Sequence, residues 1–140
     1  MPLASLVDVL TKANKEKYAL GAFNTNNLET THAIIRGAEA QNAPVILQTS
    51  PGAFNYAGFD YLVCIAKTAA RNASVPVVLH LDHATEISLV KKCVEAGYSS
   101  VMFDGSHFTF EKNVELTKQA VAIARSKGAS VEGELGTIGG

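Results

Sequence analysis

The sequence has few of the features that mark membrane, secreted or nucleic-acid-binding proteins. Its net charge is −1, and acidic and basic residues are mixed along the chain, so no basic face and no nucleic-acid partner are expected. No apolar run approaches the roughly 18 residues that a membrane helix needs, so no membrane contact is expected. The first residues lack the basic segment followed by an apolar segment that is typical of a signal peptide.

Cysteine and histidine are also scarce. The 140 residues contain two cysteines and four histidines. Cys64 and Cys93 are isolated, without CxxC spacing, and are expected to be reduced core thiols rather than a disulfide. Their use favours a cytoplasmic protein. With 47% hydrophobic and 18% charged residues, the composition is that of one globular domain with a sizeable core.

The chain does contain a regular alternation of strand and helix patterns. Apolar residues at helical spacing predict a first amphipathic helix between Leu3 and Ala13. Five apolar runs of strand length follow, at Ala19–Phe23, Val45–Leu47, Val75–Leu81, Ser100–Phe103 and Ala129–Leu135. Helical patterns lie between them, at residues 28–38, 59–69, 86–97 and 113–124. Repeated strand–helix units predict a parallel α/β sheet.

Two α/β architectures share this alternation, an open doubly wound sheet and a (β/α)₈ TIM barrel. The GxGxxG phosphate loop of a dinucleotide-binding sheet is absent after the first strand, where the sequence reads GAFN. Five units fill the 140 residues, and eight would need well over about 200. The prediction is therefore an α/β TIM barrel, with residues 1–140 forming about the first five βα units of its single domain. A complete five-stranded domain is the alternative that the periodicity leaves open.

Polar side chains follow every predicted strand. They are Asn24, then Thr49 and Ser50, then Asp82 and His83, then Asp104 with His107 three residues later, and finally Glu132 and Glu134. The carboxyl ends of parallel strands meet on one face of an α/β fold, which is where functional sites are built. The pattern therefore predicts one site that gathers these groups.

Each residue taken alone has a simpler interpretation. Asn24 and Ser50 are typical helix caps or turn formers, and Asp82 precedes a helical pattern that it could cap. His80, inside the third strand, is typical of a packed and hydrogen-bonded core histidine. His107, in the sequence DGSHF, suits a loop or a supporting role. The functional interpretation rests on the convergence of all five strand ends.

The fifth strand favours a metal site. Glu132 and Glu134 share parity, so both are expected on the same side of their strand. Two carboxylates on one side of an apolar strand are costly in a dry core unless a cation or donors accompany them. With His83 and Asp104 in reach, the donors suit zinc or a similar first-row metal. A single imidazole with carboxylates is a weak zinc set, so further ligands are expected from outside this chain.

Several segments resemble one known family along nearly the whole chain. VPVVLHLDHA, ending at Ala84, and VEGELGTIGG, ending at Gly140, resemble the two signatures of the class II, metal-dependent, fructose-bisphosphate and tagatose-bisphosphate aldolases. GAFNTNN, QTSPGAF and VMFDGSHFTFEKN also look like this family. The resemblance covers about the N-terminal half of a usual member.

The resemblance implies a role for each matching residue. His83 would be a zinc ligand, and Asp82 the catalytic acid/base at the C4 hydroxyl of the bisphosphate. Asp104 and Glu134 match positions that hold a second or displaced metal ion. The remaining matches would line the substrate site, with Ser50 near the aldehyde-side phosphate, or support it: Asn24, Ser50, His80, Glu132 and His107. Two further zinc histidines, a phosphate loop and a mobile-loop glutamate would follow Gly140.

The implied function is the reversible cleavage of fructose 1,6-bisphosphate to dihydroxyacetone phosphate and glyceraldehyde 3-phosphate, in glycolysis and gluconeogenesis. Cleavage leaves a carbanion beside a carbonyl, which a lysine Schiff base or a metal Lewis acid can stabilise. No lysine ends a predicted strand, so the metal route fits. Asp82 and His83 are neighbours, and strand parity predicts that their side chains diverge, one to the substrate and one to the metal. His80 is expected to buttress them.

Other functions remain open at this point. Tagatose 1,6-bisphosphate differs from the fructose sugar only in configuration at C4, another divalent metal could replace zinc, and a monovalent cation could be required as well. A (β/α)₈ metal hydrolase usually begins with an HxH pair on its first strand, where this chain has AFNTNN. A structural or metal-binding half-barrel without activity is the third alternative.

A half-barrel leaves its last strand and its apolar faces uncovered, so we expect the isolated chain to self-associate and to be inactive as an aldolase. The family resemblance also implies a homo-oligomer, a dimer or a tetramer. Sedimentation velocity of the 140-residue chain tests this expectation. A well-behaved monomer across a concentration series contradicts it.

Overall fold

Helices and strands alternate over residues 3–136, which the computed structural model of the protein describes. The helices are α1 Leu6–Glu16, α2 Leu28–Ala40, α3 Pro51–Ala57, α4 Phe59–Asn72, α5 Ile87–Glu95 and α6 Phe110–Arg125. The strands are β1 Ala22–Asn24, β2 Val45–Thr49, β3 Val77–Ala84, β4 Ser100–Phe103 and β5 Ser130–Gly133. The predicted strand–helix alternation is confirmed.

The strands form one parallel sheet in the order β1-β2-β3-β4-β5. Because parallel crossovers are right-handed, strands that follow one another in this order place their crossover helices on one face of the sheet. A doubly wound sheet reverses its order at a switch point, and this sheet does not. The topology is therefore that of consecutive units of a β/α barrel.

The two faces of the sheet pack differently. The outer face carries the main core, in which Leu47, Leu79 and Phe103 are completely buried against the crossover helices. On the inner face, α1 packs Leu6 and Val9 on Val78, near the amino-terminal ends of the strands. Farther along, the inner face becomes polar, with His80 on β3 and Gln48 beside it on β2. The fold thus separates a stabilising apolar face from a face that can hold polar groups.

Some element boundaries differ from those predicted. The third strand, predicted at Val75–Leu81, runs through Asp82 and His83 to Ala84, because Ala84 still pairs with Phe103 of β4. The first strand begins at Ala22, since its ladder to β2 starts with the Gly21 carbonyl and the Ile46 N–H. The short helix α3 was not predicted. Pro51 starts it and the Ser50 side chain caps it, which are signals present in the sequence.

The prediction that both cysteines lie in the core is wrong for Cys64. Cys93 is buried, and burial raises the pKa of its thiol to about 12. Cys64 is exposed. Helix α4 buries Leu62 and Ala66, four residues apart, and Cys64 lies two residues after Leu62, about half a turn away from that face. Both thiols are free, as expected.

Among the described residues, no helix combines the length and apolarity needed to cross a membrane.

A matched pair of valines tests which face of the helices carries the stability. Val90 on α5 is fully buried, whereas Val7 on α1 is 59% exposed. Val90→Ala is expected to lower the free energy of unfolding by about 2 kcal/mol, because it removes two buried methyl groups and leaves a cavity. Val7→Ala, with the same change in helix propensity, is expected to alter it by less than about 0.5 kcal/mol. Urea denaturation measures both, and equal effects contradict the assigned packing.

Candidate functional site

The predicted site residues lie at the carboxyl ends of the strands, and a different local structure positions each of them. The positions are Asn24 at the end of β1, Ser50 after β2, Asp82 and His83 near the end of β3, Asp104 after β4, and Glu132 and Glu134 around the end of β5. Ser50 caps α3, since its Oγ accepts a hydrogen bond from the Ala53 N–H at 3.2 Å. Asn24 and Asp82 cap no helix, because Asn27 caps α2 and α5 begins after Glu86.

A local break in β3 shapes the site. His83 has φ +49°, in the left-handed region, and the β3–β4 register shifts between Leu81 and Ala84. The break interrupts the strict alternation of side chains, so Asp82 and His83 do not diverge as strand parity predicted. His83 Nε2 lies 3.8 Å from Asp82 Oδ1. The two side chains therefore lie next to each other and face the same space.

His83 and Asp104 form a close pair at 2.9 Å between Nδ1 and Oδ2. This hydrogen bond, with the negative charges of Asp82 and Glu134, raises the pKa of His83 against a smaller opposing effect of burial. Partial burial by itself raises the pKa of Asp104. The hydrogen bonds from Ser106 and His83 outweigh it and leave the pKa of Asp104 below its ordinary value.

Glu134 completes a group with the chemistry of a metal site. One ligand atom each from His83, Asp104 and Glu134 lies within 4.8 Å of the other two. The Glu134 carbonyl accepts a hydrogen bond at 2.7 Å from Asn113, a buried side chain of α6. The sequence indicated Asn113 only as the start of a helix, and its role in fixing the end of β5 could not be read from spacing. One imidazole and two carboxylates suit a divalent cation.

Asp82 has a separate partner beside this group. Asn24 Nδ2 donates a hydrogen bond of 2.7 Å to Asp82 Oδ2, across the 58 residues that separate β1 from β3. Asn24 and Ser50 also line a recess of about 280 Å³. Its wall includes Tyr56, which the sequence analysis missed because it lies on the unpredicted helix α3. The recess is lined by polar groups, and Asn24 connects it to the Asp82 carboxylate.

The three residues expected to support the site behave differently from one another. His80 is 3% exposed, its Nδ1 lies 2.7 Å from the Ser100 Oγ, and its Nε2 lies 3.5 Å from Glu132 Oε2. Burial lowers the pKa of His80 to about 4, so it is neutral at pH 7. Burial, with the charges of nearby carboxylates, raises the pKa of Glu132. His107 is exposed in a turn and stacks on Phe108, apart from the three-residue metal group.

The histidine titrations test this electrostatic description. In metal-free protein, the imidazole NMR signals of His80 are expected to stay constant between about pH 5 and 8, and His83 to titrate above the ordinary value of about 6.5. Asp104→Asn removes the partner charge and should move the His83 midpoint down. An unchanged His83 midpoint in that variant contradicts the assigned pair, and Glu86→Gln, a substitution on the adjacent exposed loop, serves as the control.

Known proteins align with this chain over all or nearly all of its length. The chain is 48% identical to a fructose-bisphosphate aldolase of Streptococcus pyogenes and 46% identical to a 6-phospho-5-dehydro-2-deoxy-D-gluconate aldolase of Shouchella clausii. All of this chain is covered in both alignments, against 48% and 49% of the two relatives. In the crystal structure of the YdjI aldolase of Escherichia coli K12, 51% of that chain superimposes on 95% of this one, with a TM-score of 0.91 and 33% identity.

The chain thus spans about half the length of the relatives that it matches. The shared part contains the strand ends that carry Asn24, Asp82, His83 and Asp104. Residues 4–140 match the family described as fructose-bisphosphate aldolase class-II. On this match, which takes in nearly every residue, the chain belongs to the class II fructose-bisphosphate aldolase family.

Proposed function

We propose that this chain carries the catalytic acid/base and part of the metal centre of a metal-dependent aldolase that cleaves fructose 1,6-bisphosphate to dihydroxyacetone phosphate and glyceraldehyde 3-phosphate. The observation that supports it best is the position of Asp82. Its carboxylate is held by Asn24 and lies beside the group formed by His83, Asp104 and Glu134. In this proposal a proton-accepting group lies next to a group that would bind a cation, as metal-assisted aldol cleavage requires.

His83, Asp104 and Glu134 would hold the divalent cation, for which zinc is the proposed metal. When bound, such a cation supplies a Lewis acid that draws electron density from the substrate carbonyl. The donor set of this chain is rich in carboxylate and short of imidazole. Its exposed histidines outside the site, His32 and His107, lie on α2 and in a turn. In this proposal, the further imidazole ligands come from the half of the family barrel that this chain does not span.

Asp82 would take the proton of the C4 hydroxyl as the C3–C4 bond breaks, and return it in condensation. Asn24 donates to Oδ2, which fixes the carboxylate and leaves Oδ1 for the substrate. The recess beside it suits the aldehyde-side phosphate. Ser50 accepts from the Ala53 N–H through its oxygen, so its own O–H remains available to donate to a phosphate oxygen.

The relatives carry the names of aldolases for different sugar phosphates. One relative at 48% identity carries the name of a fructose-bisphosphate aldolase, and one at 46% carries that of an aldolase for a phosphorylated deoxygluconate. Fructose 1,6-bisphosphate is the proposed substrate and tagatose 1,6-bisphosphate the alternative. A cytoplasmic, glycolytic homo-oligomer is the proposed setting. An inactive half-barrel is the competing proposal, supported by the length of the chain relative to its relatives.

An Asp82→Asn variant tests the assigned chemistry in a complete barrel. Residues 1–140 are joined to the remaining part of the Streptococcus pyogenes relative, and cleavage of fructose 1,6-bisphosphate is measured with and without EDTA. The hybrid is expected to be active and EDTA-sensitive. Asp82→Asn should lower kcat by at least about 100-fold, because the proton-accepting group is lost.

Glu86→Gln is the control, an acid-to-amide change on the exposed loop that follows β3, and it should leave kcat unchanged. A folded hybrid without activity towards any of the named sugars contradicts the proposed function. Preference for tagatose 1,6-bisphosphate or for the phosphorylated deoxygluconate corrects only the substrate. The 140-residue chain assayed alone is expected to be inactive.

A further inference from the structure

Two polar contacts of His80 join three strands on the inner face of the sheet. His80 of β3 bonds Ser100 of β4 through Nδ1 at 2.7 Å, and its Nε2 lies 3.5 Å from the carboxylate of Glu132 on β5. His80 and Ser100 are 3% and 0% exposed, so bulk water cannot replace the bond between them, whereas the Glu132 side chain is 53% exposed. We call these three residues the inner-face tie.

The geometry holds the His80 ring from two sides. The hydrogen bond between Nδ1 and the Ser100 hydroxyl fixes one side of the ring. On the other side Nε2 faces the Glu132 carboxylate at 3.5 Å. A neutral ring with its proton on Nε2 would direct that N–H towards the carboxylate and leave Nδ1 to accept from Ser100.

The residues of the tie precede the residues of the proposed metal group along the same three strands. His83 follows His80 on β3, Asp104 follows Ser100 beyond β4, and Glu134 follows Glu132 beyond β5. Strand β5 is at an edge of the described sheet and pairs with β4 alone, so a further contact with β3 adds to what holds it in place. The distance between the strand ends, and hence between the three ligands, depends on what holds β3, β4 and β5 together at this level.

We infer that the inner-face tie is a positioning network that sets the spacing of His83, Asp104 and Glu134 and so the affinity of the site for a divalent cation. This inference rests on the metal site of the proposed function. Outer-layer contacts of metal ligands commonly change metal affinity by about 10- to 100-fold. The tie contacts no substrate in this assignment, and its effect passes through the ligands above it.

Zinc titration of the metal-free hybrid barrel by calorimetry tests the inference. Glu132→Ala, which removes the polar group facing His80 Nε2 at an exposed position, and His80→Phe, which keeps a ring without nitrogens, should each raise the Kd for zinc by about 10- to 100-fold. Glu132→Gln removes the charge but keeps an oxygen that can face His80, and its Kd should stay within about 3-fold of the parent hybrid. Urea denaturation checks that the variants are folded.

Gln48→Leu is the control, because Gln48 pairs with His80 in the ladder but lies on β2, which supplies none of the three ligands. Its Kd should not change. Unchanged affinity in Glu132→Ala and His80→Phe overturns the inference and leaves the proposed function intact. Equal weakening in Glu132→Gln and Glu132→Ala also overturns it, because the charge alone would then account for the effect. Failure of the parent hybrid to bind zinc overturns the metal site of the proposed function together with the tie.

Discussion

The geometry of the candidate site depends on the break in β3 at His83. His83 is in the left-handed region, which costs a residue other than glycine about 1–2 kcal/mol. The same conformation allows the hydrogen bond between His83 and Asp104. The break turns the imidazole toward Asp104, 2.9 Å away, while Ala84 returns to the ladder opposite Phe103. Without it, His83 would alternate to the outer face and lie among the crossover helices. Backbone strain and the His83–Asp104 hydrogen bond therefore have to be considered together.

The sheet can tolerate this strain because one face carries the apolar core that stabilises the fold and the other carries the polar groups. The outer face holds the fully buried side chains of Leu47, Leu79 and Phe103, which hydrophobic burial stabilises without directional demands. The inner face holds few apolar contacts beyond those of α1 and collects polar groups that satisfy one another. In the part of the chain that the structure describes, every buried side-chain polar atom has a hydrogen-bond partner. Polar order on the inner face is therefore achieved by pairing rather than by exposure.

Both edges of the described sheet carry apolar surface next to an open strand. Phe23, 53% exposed on β1, lies beside an apolar groove that α2 contributes to, and a second groove lies between α6 and the end of β5. The family relatives are about twice as long as this chain. Helix α1 covers the inner face only near the amino-terminal ends of the strands, whereas parallel sheets are normally covered on both faces. The same surfaces underlie the self-association expected for the isolated chain.

The sequence by itself determined the periodic part of this protein. Apolar runs and helical spacing identified the alternating units. The polar residues after each run were correctly expected at one end of the sheet, because residue period and strand direction are local properties. Helix α3 could also have been found, from Ser50 and Pro51.

Only the tertiary structure decided what depends on distance between strands. It paired Asn24 with Asp82, joined His80 to Ser100 and Glu132, and used Asn113 to fix Glu134, each across 20 or more residues. It also overrode strand parity at His83. Spacing along the chain cannot predict such contacts, because they depend on the register between strands and on a local break in the backbone.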